Sequence, residues 1–241
     1  MDRRAAIIMA LAVAAVVIIA GFAILSASPS KDREALYQVS SLDALVEGRL
    51  AGVQPVDDLL RHGDIGVGTF EGLNGEMIVI DGKCYQALAD GTVREASGSA
   101  AVPFAQVTFF DRDGTTALSG NMSEAIATLS AALASDRVFY VLRIDGTFDS
   151  ITVRSVPGWE EPYPTLEEAT AEQTVFSYSS IKGTLVCIVS PSFTDGMSAA
   201  GYHFHFISDD RTKGGHVLAF DISGAEAQWD ETPRYVADLP K

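Results

Sequence analysis

Three of the four histidines in the chain lie in one segment, GYHFHFISDDRTKGGHVLAF, which runs from Gly201 to Phe220. If this segment forms strands, His203 and His205 project from the same face, because side chains two residues apart in a strand point the same way. The polar, glycine-containing run SDDRTKGG predicts a hairpin loop, and a symmetric loop places His216 opposite His205. The spacing therefore brings three imidazoles together on one face of a hairpin.

Three converging histidines are typical of a catalytic zinc site, which commonly has three protein ligands and keeps a position open. We favour zinc over iron or nickel because the sequence shows no redox-specific ligand. On these residues alone, two interpretations are open: a zinc-dependent hydrolase, and a non-catalytic, membrane-tethered metal-binding or scaffold domain. The fourth histidine, His62, follows a predicted helix in LLRHGDIG, which favours a structural role.

Composition describes a folded and acidic protein. The 241 residues are 47% hydrophobic and 20% charged, with a formal net charge of -15. No cluster of Lys and Arg is present, so we exclude nucleic acid as a partner. The glycines of GDIGVG lack the strand-turn-helix context of a phosphate loop. Cys84 and Cys187 lie in apolar, strand-like contexts, where a disulfide and two buried free thiols are both ordinary.

The N-terminus has the pattern of a targeting segment. MDRR precedes the uncharged apolar run Ala5–Leu25, which is about as long as the roughly 20 residues that span a bilayer. We predict that residues 1–28 form a signal anchor or a cleaved signal peptide, with residues 29–35 as a linker. The positive-inside rule keeps the two arginines of MDRR in the cytoplasm. The remainder is then extracytoplasmic, attached to the membrane if the segment is uncleaved and secreted if it is cleaved.

Most of the remaining chain has the alternating pattern of antiparallel strands, with Gly and Asp at the turns. We predict two strands joined by a DG turn in RVFYVLRIDGTFDSITVRSV and another strand pair in VFSYSS and GTLVCIVSP. Helices are predicted after Ser41, over Val56–Arg61, over Met122–Ser135 and after Thr165.

The predicted fold class is α+β, with two β-rich halves of mixed and antiparallel sheets after one N-terminal apolar helix. Residues 36–156 form the N-terminal half, and residues 157–241 form a barrel-like C-terminal half that carries the histidine hairpin.

Four segments in order, LYQVSSLDALVEG, LLRHGDIGVGTFEGLNGEMIVIDGKCYQ, VPFAQVTFF and YHFHFISDDRTKGGHVLAF, resemble the α-acetolactate decarboxylase family. The resemblance runs from near Leu36 to about Phe220. It implies decarboxylation of 2-acetolactate to (R)-acetoin and CO2, with zinc on the three histidines and no organic cofactor. It also implies two β-rich domains and a possible homodimer.

By position in the family motifs, the resemblance implies an active-site glutamate at Glu76 and a substrate-contacting threonine at Thr69. It further implies that Arg154 is the active-site arginine, suited to hold the substrate carboxylate. Without the resemblance, Arg154 would be interpreted as a solvated strand residue, whereas for Glu76 a turn residue and a functional carboxylate would be equally good interpretations. The family's further glutamate in the C-terminal tail is matched by no position here, because Glu231 lies too close to the last histidine.

Overall fold

The structure is a computed structural model that describes residues 32–239, and contacts join the chain from Arg33 onwards into one compact unit. The predicted signal anchor or signal peptide lies outside the described residues. Within the described part of the chain, no helix is both long and apolar enough to cross a membrane.

Strands dominate the described residues, and four short helices accompany them. The strands are β1 (Ala35–Val39), β2 (Gln54–Pro55), β3 (Ile65–Thr69), β4 (Glu76–Ile80), β5 (Lys83–Ala87), β6 (Val93–Glu95), β7 (Ala101–Val102), β8 (Phe104–Thr108), β9 (Gly114–Asn121), β10 (Phe139–Ser155), β11 (Thr174–Ser190), β12 (Gly201–Ser208), β13 (Gly214–Thr232) and β14 (Arg234–Asp238). The helices are α1 (Leu42–Val46), α2 (Val56–Leu59), α3 (Met122–Ala132) and α4 (Leu166–Ala171). A mostly β structure with mixed and antiparallel sheets confirms that part of the predicted fold class.

Two large sheets organise the molecule. The first has seven strands in the order β14-β1-β8-β3-β4-β5-β6, with β14 parallel to β1 and the other neighbours antiparallel. The second has five strands in the order β10-β11-β12-β13-β9, and β10 also pairs with β13. The second sheet includes residues 114–155, whereas β14 returns to the first sheet. The barrel-like shape of the C-terminal half and the domain boundary at residue 157 stay predictions.

The two strand pairs predicted around residues 145 and 180 are wrong. β10 continues through Asp145 and Gly146 as one strand of 17 residues, and β11 likewise continues through Ser180 as one strand of 17 residues. β10 is paired on both edges, with β11 and with β13. Two ladders of backbone hydrogen bonds outweigh the turn preference of the DG pair. A Cβ on Gly146 would lie 2.8 Å from that of Ala225, so the glycine permits a close approach of strands instead of a turn.

Alternation along β12 fixes the direction of the histidines. Phe204 and Phe206 lie in a core on one face of the second sheet, where Phe206 packs edge-on against Phe148 at a centroid distance of 5.2 Å. Ile207 points the other way, into the core shared with Ile78 of the first sheet. Burying each Phe stabilises the fold by about 1.5–3 kcal/mol. A slip of one residue would turn these rings out of their core, so the aromatic face holds the histidines on the opposite face.

The short helices begin at the predicted caps. The Ser41 hydroxyl accepts a hydrogen bond from the amide of Ala44 at 3.2 Å at the start of α1. Thr165 forms a capping box with Glu168 at the start of α4. α2 and α3 end before the predicted residues Arg61 and Ser135, a difference usual at frayed helix ends.

The structure also shows the surroundings of His62, Cys84 and Cys187. The ring of His62 stacks on Tyr37 with centroids 3.8 Å apart, which is consistent with the predicted structural role. Cys84 and Cys187 are both buried free thiols, so the disulfide alternative is wrong.

A buried aspartate outside the cavity predicts how the stability of the fold depends on pH. Asp230 is 2% exposed, and its carboxylate accepts a hydrogen bond from the amide of Asp111 at 2.9 Å. Burial, with a contribution from the charges of Asp113, Asp111 and Glu34, raises the pKa of Asp230 to about 7, although the hydrogen bond from Asp111 lowers it. The folded state therefore binds this proton more tightly than the unfolded chain, and the aspartate's contribution to stability is lost as pH rises from 3.8 towards 7.

We expect Asp230→Asn to raise the melting temperature relative to wild type at pH 8 and to leave it nearly unchanged at pH 4. The amide keeps an acceptor for Asp111 but carries no charge. Thermal unfolding of both proteins across this pH range measures the difference, and Asp221→Asn, an exposed residue of the same strand, serves as the control. A difference in melting temperature between Asp230→Asn and wild type that does not grow with pH would contradict the raised pKa of Asp230.

Candidate active site

Residues from both sheets line a cavity of about 270 Å³. The first sheet contributes from β3, β4 and β8, and the second contributes from β10, β12 and β13. All six residues singled out in the sequence lie in its wall, namely Thr69, Glu76, Arg154, His203, His205 and His216. Residues remote in the sequence thus meet at one site.

The histidine hairpin has the predicted register. His205 lies directly opposite His216 in the pairing of β12 with β13. His203 Nε2 lies 3.1 Å from His216 Nδ1 and 3.1 Å from His205 Nε2, and the remaining pair of nitrogens is 3.4 Å apart. One nitrogen of each ring therefore faces the same small volume.

The protonation of these rings suits metal binding. Nδ1 of His205 donates a hydrogen bond to the carbonyl oxygen of Met77 at 2.8 Å, which leaves Nε2 as the nitrogen with a free lone pair. Burial lowers the pKa of His203 to about 4, helped by the charge of Arg154. Burial also lowers the pKa values of His205 and His216, with a further contribution from neighbouring histidines. All three rings are consequently neutral near pH 7.

The donor set fits a tetrahedral divalent ion. Three ligand nitrogens around a zinc ion, at about 2.0–2.1 Å from the metal, lie about 3.3 Å from one another in tetrahedral geometry. The observed separations of 3.1–3.4 Å match such a triangle. Neutral nitrogens this close repel through their lone pairs unless a cation or a proton lies between them. The three histidines can therefore hold a metal ion.

Glu76 and Arg154 form an ion pair beside the histidines. Arg154 Nη1 lies 3.2 Å from Glu76 Oε1, and Glu76 Oε2 lies 3.7 Å from Nε2 of His205. Cross-strand pairing positions both residues, because Glu76 faces Thr69 across β3 and β4, and Arg154 faces His216 across β10 and β13. Burial raises the pKa of Glu76 to about 7, and Arg154 opposes that rise. A cation on the histidines would lower the pKa of this carboxyl further.

Thr69 is oriented by its own hydrogen bond. Its hydroxyl donates to the carbonyl oxygen of Gly75 at 2.8 Å. The proton is thereby engaged, and the oxygen's remaining lone pair is available to accept a hydrogen bond from a hydroxyl group in the cavity.

Sequence reasoning missed the apolar side of the cavity. Six large apolar residues from five separate regions line it, namely Leu42, Leu45, Leu73, Phe104, Val156 and Leu166. These residues also pack together as one hydrophobic cluster. In the sequence they have the spacing of ordinary core positions, so no local signal distinguishes them from residues that only stabilise the fold.

Comparison with known proteins assigns the family. A model of the alpha-acetolactate decarboxylase family matches residues 36–241. The chain belongs to the alpha-acetolactate decarboxylase family. An alpha-acetolactate decarboxylase of Methanosarcina mazei is 44% identical over 209 residues, which cover 86% of this chain and 73% of that protein. One of Methylococcus capsulatus is 38% identical over 208 residues, covering 86% of this chain and 80% of that protein.

A solved structure agrees with this family assignment. The crystal structure of the alpha-acetolactate decarboxylase of Bacillus subtilis is similar with a TM-score of 0.83 and 32% identity, over 86% of this chain and 89% of that chain. The predicted resemblance is therefore confirmed, and the protein is an acetolactate decarboxylase. Neither the hydrolase nor the non-catalytic scaffold alternative has comparable support.

Proposed function

We propose that this decarboxylase uses one zinc ion, held by His203, His205 and His216, to convert 2-acetolactate to (R)-acetoin and CO2. The observation that supports zinc is the triangle of ring nitrogens 3.1–3.4 Å apart in the wall of the cavity. Family membership supports the substrate.

The reaction breaks the bond between the carboxylate carbon and the carbinol carbon of 2-acetolactate. The electron pair of that bond moves towards the neighbouring ketone to give an enediolate, and a proton then adds to the carbinol carbon to give acetoin. When bound, zinc supplies a Lewis acid that stabilises the developing negative charge. The residues of the chain must hold the carboxylate, keep water out and deliver the proton to one face.

In this proposal, Arg154 holds the substrate carboxylate. Its side chain is 18% exposed and forms an ion pair with Glu76, and Arg154 lies opposite His216 in the strand pairing. A planar guanidinium suits a carboxylate through two charge-assisted hydrogen bonds. Binding there would fix which bond of the substrate is aligned for cleavage.

In this proposal, Glu76 delivers the proton. It is the carboxyl group in the cavity wall, 6% exposed, and its two oxygens are divided between Arg154 and His205. A carboxyl group held on one side of the substrate protonates one face, and this would give a single enantiomer of acetoin. The apolar wall opposite would hold the two methyl groups and exclude water from the enediolate.

Removal of the metal tests the proposed cofactor. We expect the full chain to lose acetoin and CO2 formation from racemic 2-acetolactate after dialysis against a chelator, and to regain both on addition of one equivalent of zinc. Chiral gas chromatography should show (R)-acetoin. Full activity in metal-free protein, or recovery with another metal but not with zinc, would contradict the proposal.

We also infer an extracytoplasmic location, anchored or secreted, from the apolar N-terminal segment and the arginines that precede it. Protease added to intact expressing cells should degrade an anchored form, whereas protection of a cell-associated protein would contradict this location.

A homodimer is likewise proposed from the family, and light scattering of the purified chain tests it.

A further inference from the structure

The connection from β11 to β12 forms part of the cavity wall. We call residues 191–200 the strap, since this segment crosses from the end of β11 to the strand that carries His203 and His205. Ala199 of the strap lines the cavity, and Tyr202 lines it just beyond. The position of the strap therefore affects both the shape of the cavity and the start of β12, which carries His203 and His205.

A buried polar cluster anchors the strap through Ser198. The Oγ of Ser198 lies 2.8 Å from Nε2 of Gln106 on β8 and 2.6 Å from Oγ of Ser190 on β11. Ser198 and Gln106 are both fully buried. The second hydrogen of the Gln106 amide is donated to Oε1 of Gln38 on β1 at 2.8 Å. One serine hydroxyl thus joins the strap to both sheets, where no water can replace a lost partner.

The strap also holds helix α1, which provides part of the apolar wall. The carbonyl oxygen of Met197 accepts hydrogen bonds from Nε2 of Gln38 at 2.6 Å and from the amide of Leu42 at 3.0 Å. The carbonyl oxygen of Gly196 accepts one from the amide of Asp43 at 2.8 Å. Leu42 faces the cavity, so displacement of the strap would move the apolar wall with it.

We propose that Ser198 is a positioning residue for substrate binding. Through Gln106 and Ser190, its hydroxyl fixes the strap so that Ala199 and Leu42 form a wall that fits the methyl groups of the substrate. This inference rests on the proposed function, because it concerns binding of 2-acetolactate in the same cavity. Ser198 does not face the reacting atoms, so its loss weakens binding of substrate and transition state alike. Such uniform weakening raises KM and leaves kcat unchanged.

Kinetics of Ser198→Ala in the full, zinc-loaded chain test the proposal. We expect KM for 2-acetolactate to rise about tenfold, the size expected when a buried donor loses its partner, with kcat within about twofold of wild type. Hydrogen exchange should become faster at the backbone amides of residues 191–200, and the zinc content should stay the same. Ser192→Ala makes the same chemical change at an exposed position of the strap and should alter neither quantity.

An unchanged KM in Ser198→Ala, even with a lower melting temperature, would show that Ser198 only stabilises the fold. Loss of zinc or a large fall in kcat would show that it acts through the histidines, which also overturns the proposal. If Ser198→Ala does not fold, Ser190→Ala removes one partner of the same hydroxyl and should raise KM about threefold. A wild-type chain that forms no acetoin would refute the proposed function. If the wild type is active and Ser198→Ala has the same KM, only the positioning role is refuted.

Discussion

Replacing His205 with alanine is expected to reduce acetoin formation by about 10³-fold or more, because a metal Lewis acid contributes several kcal/mol to the stabilisation of developing charge. His205 is 1% exposed, and its Nδ1 donates to the carbonyl oxygen of Met77 while its Nε2 faces His203. Its loss leaves two ligands. Zinc content, measured by mass spectrometry of metals after gel filtration, should fall well below one ion per chain.

The control for this variant is His62→Ala. His62 is an exposed histidine that stacks on Tyr37 outside the cavity, so its removal tests for a general effect of losing an imidazole. We expect this variant to keep full zinc content and activity. Near wild-type activity and zinc in His205→Ala, with the fold intact by circular dichroism, would contradict the metal role of the hairpin.

Replacing Glu76 with glutamine is expected to lower kcat by about 10²–10⁴-fold, the usual contribution of a positioned acid or base. Glutamine has nearly the same shape as glutamate, but its amide cannot deliver a proton to the substrate as a carboxyl group can. The histidines are untouched, so zinc content should stay at one ion per chain, and KM should change little. Steady-state kinetics together with metal analysis separate this result from that of a lost metal ligand.

Glu95→Gln is the matched control for the loss of a carboxylate. Glu95 lies on β6, the edge strand of the first sheet, and forms an exposed ion pair with Lys83 at 2.9 Å outside the cavity wall. Exposed pairs of this kind contribute little, so activity and stability should stay close to wild type. A kcat for Glu76→Gln within tenfold of wild type would show that another group delivers the proton.

The histidine site could be predicted because its information is local. Period-two alternation sets the faces of His203 and His205, and the hairpin loop sets the partner of His205, so neighbouring residues determine the geometry. The roles proposed for Glu76 and Arg154 needed the family resemblance. Nothing in their own segments indicates that β4 and β10, from different sheets, bring these two side chains within 3.2 Å.

Errors in the prediction arose where distant pairing overrides local preference. The DG pair at Asp145 favours a turn, yet two neighbouring strands hold β10 in one extended run. The anchored strap is equally hidden, since Gln38 and Met197 are separated by 159 positions. Buried glutamine and serine side chains have no periodic signal, so their partners become visible only in the folded chain.

Anomalous diffraction at the zinc absorption edge, from crystals of the active enzyme, tests the central claim most directly. We expect one strong peak between the three histidines, about 2.0–2.1 Å from Nε2 of His203, Nε2 of His205 and Nδ1 of His216. Loss of the peak should accompany loss of acetoin formation when crystals and solution are treated with the same chelator. An active enzyme with no peak at this position would contradict a zinc centre formed by these three residues.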